Sequence, residues 1–160
     1  MPDKPFFMYY APGATHAPHH VPKEWADKYK GKFDQGWDKL REETFARQKK
    51  LGVIPQDCQL TPRHPEIPAW DTVSTEMKPI LAREMEVYAG YMEHTDHHVG
   101  RLVDALKDLE VLDDTLIYVI IGDNGASAEG SLQGTFNCYS AGWGGYPKAR
   151  SSTSRTNPMR

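Results

Sequence analysis

The sequence has few cysteines and no long apolar run. Only Cys58 and Cys138 are cysteines among 160 residues, and they lie too far apart in the sequence to indicate a disulfide framework. No apolar stretch approaches the length of about 18 residues that a transmembrane helix requires. A net charge of −3 gives no indication of a nucleic-acid partner. With 39% hydrophobic residues and a mean hydropathy of −0.66, the chain is on the polar side for a domain with its own core.

One of the two concentrated apolar segments lies near the carboxyl end. Thr115-Leu-Ile-Tyr-Val-Ile-Ile121 is rich in β-branched and aromatic residues and stops at a glycine. Such a run is typical of a strand buried on both faces of a parallel sheet. Asp123 and Asn124 follow it, where open α/β sheets bind ligands, and their oxygens suit Ca²⁺ or Mg²⁺. The same residue types are common in turns, so this stretch alone leaves both interpretations open.

The other apolar segment lies near the amino end. Lys4-Pro-Phe-Phe-Met-Tyr-Tyr10 predicts a second buried strand, and a loop that carries His16 between several prolines follows it. Proline fixes φ and stiffens such a loop. A stiff loop at the end of a strand can present His16 to an anion, although a loop histidine is also commonly just solvated. Nothing in the spacing of His19 and His20 indicates a catalytic or metal site.

Three helices are predicted between these segments. Pro22 favours a short helix that ends near Gly31, and apolar spacing predicts an amphipathic helix over 36–51, closed by Gly52. Five prolines within 53–79 predict an extended connection.

The third helix, over 80–110, shows the longest apolar stripe of the chain. It consists of Met85, Tyr88, Met92, Thr95, Val99, Leu102, Leu106 and Leu109. We expect the stripe to pack on the sheet; a coiled coil is the rival interpretation, disfavoured by Thr95. The same helix carries His94, Asp96, His97 and His98, which could form a metal site, although a structural role is the simpler interpretation.

Four sequence blocks, in this order and spacing, resemble the sulfatase family of the alkaline-phosphatase-like superfamily, in its bacterial arylsulfatase branch. Together they cover about residues 4–137. The blocks are Lys4-Pro-Phe-Phe-Met-Tyr-Tyr10 with Thr15-His-Ala-Pro18, Phe33–Gln48, Tyr88–Leu102 and Gly122–Gly130. The resemblance and the segments together predict an α/β fold: a partial parallel or mixed sheet with flanking helices.

The resemblance also implies a mechanism and a set of roles. In that family a cysteine converted to formylglycine attacks sulfur, and a divalent cation, usually Ca²⁺, holds the nucleophile and a sulfate oxygen. Asp123 and Asn124 match the metal-ligand pair, and His16 matches the sulfate-contacting histidine. The implied partner is a sulfate ester of low molecular weight.

The chain departs from the family pattern in several places. The Cys-x-Pro-x-Arg motif and its alanine variant are absent, and Cys58 is no substitute because Pro62 and Arg63 stand at +4 and +5 where the motif requires +2 and +4. The acidic pair that would complete the metal site and the family's lysines are also absent. We therefore expect a central segment of a sulfatase that is inactive alone. The sequence gives no indication of the compartment, because no signal peptide is evident and the native amino terminus is expected to be missing.

The carboxyl-terminal part has a different composition. Residues 138–160 are dominated by Gly, Ser, Thr, Pro and basic types without apolar periodicity, which predicts a disordered tail after a partial sulfatase domain over 1–137. Two other functions stay open: a fragment of a related phosphate or phosphonate ester hydrolase, and a non-enzymatic α/β protein.

Overall fold

A computed structural model describes residues 4–122 of the chain. In this part the elements are α1 (Lys23–Asp27), α2 (Gly36–Leu51), a single 3-10 turn (Trp70–Thr72) and α3 (Lys78–Asp108). Asp123, Asn124 and the predicted tail over 138–160 lie outside the described residues. None of the helices in 4–122 is long and apolar enough to cross a membrane.

The predicted helix over 36–51 is confirmed, and its end has a local cause. Gly52 adopts the left-handed conformation at φ 71°, and its N–H donates to the carbonyls of Gln48 and Lys49. These bonds satisfy carbonyls that would otherwise lack partners at the end of a helix. Helix α1 follows Pro22 as predicted but ends at Asp27, and hydrogen-bonded turns carry the chain on to Lys32.

Helix α3 forms close to its predicted limits, but it packs through a different face. Its buried residues are Ala82, Glu86 and Gly90, which recur every four residues and therefore share one face. Met92 and Leu109 of the predicted apolar stripe are 50% and 70% exposed. The stripe has no sheet to cover in the described structure, and the small residues let α1 approach instead.

Helices α1 and α3 touch at Gly90. A Cβ atom built on Gly90 would lie 2.7 Å from backbone atoms of Ala26, closer than any ordinary van der Waals contact. Ala26 is itself only 2% exposed. The absence of a side chain at Gly90 is therefore what lets the two backbones come together.

Helix α2 packs on the proline-rich connection rather than on α3. The rings of Trp37 and Trp70 meet edge to face with centroids 4.7 Å apart, and Trp37 Nε1 donates to the Pro68 carbonyl at 3.0 Å. Asp38 accepts from Trp70 N at 2.8 Å and from Arg63 Nη1 at 2.9 Å. The predicted extended connection therefore has a defined course along α2.

The prediction of an α/β fold is wrong for the described part of the chain. Neither 5–10 nor 115–121 forms a strand, and no sheet is present within 4–122. Phe7, Ile120 and Ile121 are 92%, 91% and 86% exposed. A strand exists only where a second segment supplies backbone donors and acceptors, and in 4–122 the helices bond within themselves and leave these two segments without such a neighbour.

Candidate functional site

The loop that carries His16 contains a compact turn and is hydrogen-bonded to α3. His16 N donates to the Gly13 carbonyl at 2.8 Å, which closes the turn. Next to it, Thr15 Oγ1 donates to the hydroxyl of Tyr88 at 2.9 Å. This bond joins residues 73 positions apart in sequence and attaches the loop to α3.

His19 makes a second attachment of the same loop. Its ring meets Tyr88 edge to face at 5.6 Å and lies 6.0 Å from the ring of Tyr91. Its Nε2 atom is 3.0 Å from the Thr15 carbonyl. His19 has no proposed chemical role, but these contacts give it a structural one that the sequence pattern did not reveal.

His16 itself is exposed. Its Nδ1 atom lies 2.6 Å from the Ala17 carbonyl. Because a carbonyl oxygen only accepts, Nδ1 carries the proton of this contact. An accessible imidazole on a tethered loop has the chemistry to contact an anionic oxygen. Its relation to the predicted ligands Asp123 and Asn124 lies outside the described residues.

A charged cluster joins α1 to α3. Arg83 donates to Asp27 Oδ1 at 2.8 Å and to Glu86 Oε2 at 2.7 Å, and Gly31 N donates to Glu86 Oε1 at 2.7 Å. Asp27 also accepts from Lys23. Glu86 is only 5% exposed, so both of its oxygens need these donors.

The pKa of Glu86 shows which effect prevails in this cluster. Burial raises the pKa, but hydrogen bonds from Arg83 and Gly31 and the charge of Arg83 together hold it below its ordinary value. The carboxylate is therefore ionised at neutral pH and acts as an anchor between the helices. It faces a backbone amide and a guanidinium, which is an arrangement for packing and not for proton transfer to a substrate.

A histidine pair forms the other polar cluster of α3. His94 Nε2 and His98 Nε2 are 3.0 Å apart, and Trp25 of α1 packs against the rings of His94 and His97 at 5.2 and 5.3 Å. Among residues 4–122 no group of three or more His, Cys, Asp or Glu side chains is arranged to hold a metal ion. Of the four residues that the sequence offered as a possible metal site on α3, only His94 and His98 lie close enough to act together.

The structure adds residues that sequence reasoning did not connect to the site. Tyr88 belongs to the apolar stripe of α3, which predicts a packing role, yet its hydroxyl is a partner of the His16 loop. The sequence pattern predicts no contact between helices for Arg83 or Trp25. The one available signal was Tyr88 itself, because a buried tyrosine hydroxyl usually finds a hydrogen-bond partner.

Comparison with known proteins identifies the family. The sulfatase family model matches residues 1–155. The chain belongs to the sulfatase family. The resemblance predicted from the four sequence blocks is therefore confirmed.

Two relatives show how much of a sulfatase this chain represents. It is 41% identical over 128 residues to an uncharacterized sulfatase of Schizosaccharomyces pombe, covering 79% of this chain and 23% of that protein. It is 33% identical over 126 residues to an arylsulfatase of Klebsiella aerogenes, covering 78% of this chain and 26% of that enzyme. The chain thus spans about a quarter of the length of these relatives, and it is a sulfatase-like segment.

Proposed function

We propose that this segment supplies part of the sulfate and metal site of a sulfuric ester hydrolase and that it has no turnover by itself. His16 contacts a sulfate oxygen, and Asp123 and Asn124 are two ligands of a divalent cation. Membership of the sulfatase family supports this proposal. The tethering of the His16 loop to Tyr88 supports it further, because a group that binds an anion must be held in place.

The donor chemistry of Asp123 and Asn124 fits a hard cation. A carboxylate and an amide carbonyl both offer oxygen, which Ca²⁺ and Mg²⁺ prefer over nitrogen or sulfur. Such a cation neutralises charge that develops on the oxygens of a transferred sulfuryl group. The task of His16 in that reaction is to contact another of these oxygens.

The residues present are insufficient for catalysis. No Cys-x-Pro-x-Arg sequence or alanine variant occurs in 1–160, so the chain has no residue that would become formylglycine. Removal of a covalent nucleophile typically costs several orders of magnitude in rate. Two protein ligands also fall short of the six to eight oxygens that Ca²⁺ takes, so water has to fill the rest and binding is millimolar or weaker.

The family match favours the sulfate ester hydrolase over the phosphate or phosphonate alternative. Both of the relatives described above are sulfatases. The residue that separates these classes chemically is the nucleophile, and it is not among 1–160.

The first experiment assays the purified chain with nitrocatechol sulfate and nitrophenyl phosphate in millimolar Ca²⁺. We expect no turnover of either ester. Sulfate hydrolysis that disappears in Asp123→Ala would contradict the proposed inactivity. Ca²⁺ titration of the same variant tests the metal ligands, since a submillimolar site insensitive to Asp123→Ala would place the ion elsewhere.

The second experiment tests the role of His16 in a complete active site. The matched quarter of the Klebsiella aerogenes arylsulfatase is replaced by the corresponding residues of this chain. If the chimera is active, His16→Ala should reduce kcat/KM at least about 100-fold, the loss typical of one transition-state donor. His20→Ala in the same loop is the matched control and should change it less than about threefold. Equal effects of the two substitutions would show that His16 has no specific role in the site.

A further inference from the structure

The pair formed by His94 and His98 is arranged like a chelate. The two residues are four positions apart on α3 and therefore neighbours on one helix face. Their ring centroids are 4.4 Å apart with the planes at 77°, and the two Nε2 atoms approach to 3.0 Å. Two nitrogens bound tetrahedrally to one zinc ion are separated by about 3.3 Å. The observed separation is therefore within a few tenths of an ångström of that in a zinc chelate, and both rings must turn so that their lone pairs point to one ion.

Arg101 determines which atoms carry protons in this pair. Its Nη1 atom lies 3.1 Å from His98 Nδ1, and because a guanidinium only donates, Nδ1 must accept. Neutral His98 then carries its proton on Nε2 and donates it to His94 Nε2. A further proton on either ring would place two donors opposite each other. The geometry therefore requires neutral imidazoles, which is the form that binds metals.

Helix α1 supplies a further contact to this pair. The ring of Trp25 covers one side of His94 at 5.2 Å and restricts its rotation. The pair is thus contacted from both α1 and α3.

We propose that His94 and His98 form a second metal site, which binds a single transition-metal ion such as Zn²⁺. The two Nε2 atoms are its protein ligands, and water supplies the remaining ligands. Imidazole nitrogen suits Zn²⁺ and not Ca²⁺, and two histidines at i and i+4 are a known zinc-binding arrangement. The site is independent of the proposed sulfate site, which uses oxygen ligands.

Metal binding changes the proton arrangement in a way that can be followed. The ion displaces the proton from His98 Nε2, and that proton moves to His98 Nδ1, so no net proton is released. Nδ1 then donates and can no longer accept from Arg101, which must turn away. Arg101 therefore opposes binding both by this lost hydrogen bond and by its charge.

The test is a Zn²⁺ titration of the full chain at neutral pH against a chromophoric chelator. We expect His94→Gln and His98→Gln each to weaken binding at least about tenfold, since each removes one of two protein ligands. His97→Gln is the matched control and should leave the affinity unchanged, because its nitrogens take no part in the pair. Arg101→Gln should strengthen binding several-fold, and excess Ca²⁺ should not compete.

Ring-proton NMR spectra of the unmodified chain give a test that does not depend on whether a variant folds. Substoichiometric Zn²⁺ should shift the ring signals of His94 and His98 together and leave those of His97 in place. The proposal is overturned if the double variant His94→Gln/His98→Gln retains the wild-type affinity or if His97→Gln weakens binding as much as His98→Gln. Neither outcome would bear on His16, Asp123 or Asn124.

Discussion

The contact between α1 and α3 differs sharply from the two apolar segments over 5–10 and 115–121. The contact consists of two small residues, Ala26 and Gly90, and two charged residues, Arg83 and Glu86. The small residues let the two helix backbones pack closely. The segments hold the most hydrophobic residues of the chain, yet Phe7 and Ile120 are about nine-tenths exposed, at 92% and 91%. Hydrophobicity alone thus does not determine what is buried in residues 4–122.

The difference follows from how each kind of element satisfies its backbone. A helix makes its hydrogen bonds within itself, so the association of α1 with α3 requires only a close fit and paired charges. An extended segment has no internal bonds and is stabilised only by a neighbour. Four substitutions separate what packing, steric fit, charge and exposed apolar surface each contribute to the free energy of unfolding.

The largest effect should come from Trp70→Ala. Trp70 is 7% exposed, it meets Trp37 at 4.7 Å, and its ring occupies the space beside Gly36. Its loss should lower the free energy of unfolding by about 3 kcal/mol. Urea denaturation followed by tryptophan fluorescence and circular dichroism measures this change. Phe7→Ala is the matched aromatic truncation at an exposed site and should alter it by less than about 0.5 kcal/mol; equal effects would erase the contrast between the two regions.

Gly90→Ala should have the next largest effect. The new methyl group would meet the Ala26 backbone at 2.7 Å, and a backbone cannot yield as a flexible side chain does. Overpacking should exceed the gain in helix propensity and destabilise the chain by about 1 to 2 kcal/mol. Gly100→Ala on the same helix meets nothing within 4 Å and should be stabilising by up to about 1 kcal/mol. Thermal melts at 222 nm should therefore move in opposite directions, and a shift of the same sign would refute the close approach.

Glu86→Gln tests the charged part of the same contact through pH. The pKa of Glu86 is lower in the folded chain than its ordinary value of 4.5, so its contribution is present above that pH and is lost as the pH falls through the lower folded value. We expect a loss of about 1 kcal/mol at pH 7, a modest figure because Arg83 is 39% exposed to screening solvent.

The corresponding pH profile supplies the control. Unfolding free energy measured from pH 7 to pH 3 should decline less steeply in Glu86→Gln than in the unmodified chain. Glu43→Gln, at an exposed position of α2, should leave the slope as it is. A wild-type slope in Glu86→Gln would show that the carboxylate is not the anchor.

The smallest effect on stability should come from Ile120→Ser. Ile120 is 91% exposed, so its replacement should change the free energy of unfolding by less than about 0.5 kcal/mol. It should nevertheless raise the solubility of the chain, because contiguous exposed apolar residues promote self-association. Sedimentation velocity across a concentration series measures that association. A destabilisation above 1 kcal/mol would mean that 115–121 is packed in solution.

Local sequence patterns predicted the helices well. The limits of α2 follow from its apolar spacing and from Gly52, and those of α3 differ from the prediction by about two residues at each end. The role of His16, predicted from its proline-rich loop and the family resemblance, remains a prediction. The roles of Asp123 and Asn124 also remain predictions, and these two residues lie outside the described residues.

The contact faces were not predictable in the same way. The apolar stripe of α3 indicated that Met92 and its neighbours would be covered, whereas Gly90 and Glu86 are the residues that α1 covers. A periodicity identifies an amphipathic face but not the partner that reaches it. The attachment of Thr15 to Tyr88 across 73 positions likewise has no trace in the local pattern.

The sequence by itself determined the family, the helix limits and the residue types offered at the candidate site, because these depend on motifs and on bonds between near neighbours. Only the tertiary structure decided that Ala26 would sit on Gly90, that Arg83 would bridge two carboxylates, and that 5–10 and 115–121 would form no sheet within the described residues. These outcomes depend on steric fit, on charge pairing between distant residues and on a neighbour for each extended backbone, and none of these is encoded within a single segment.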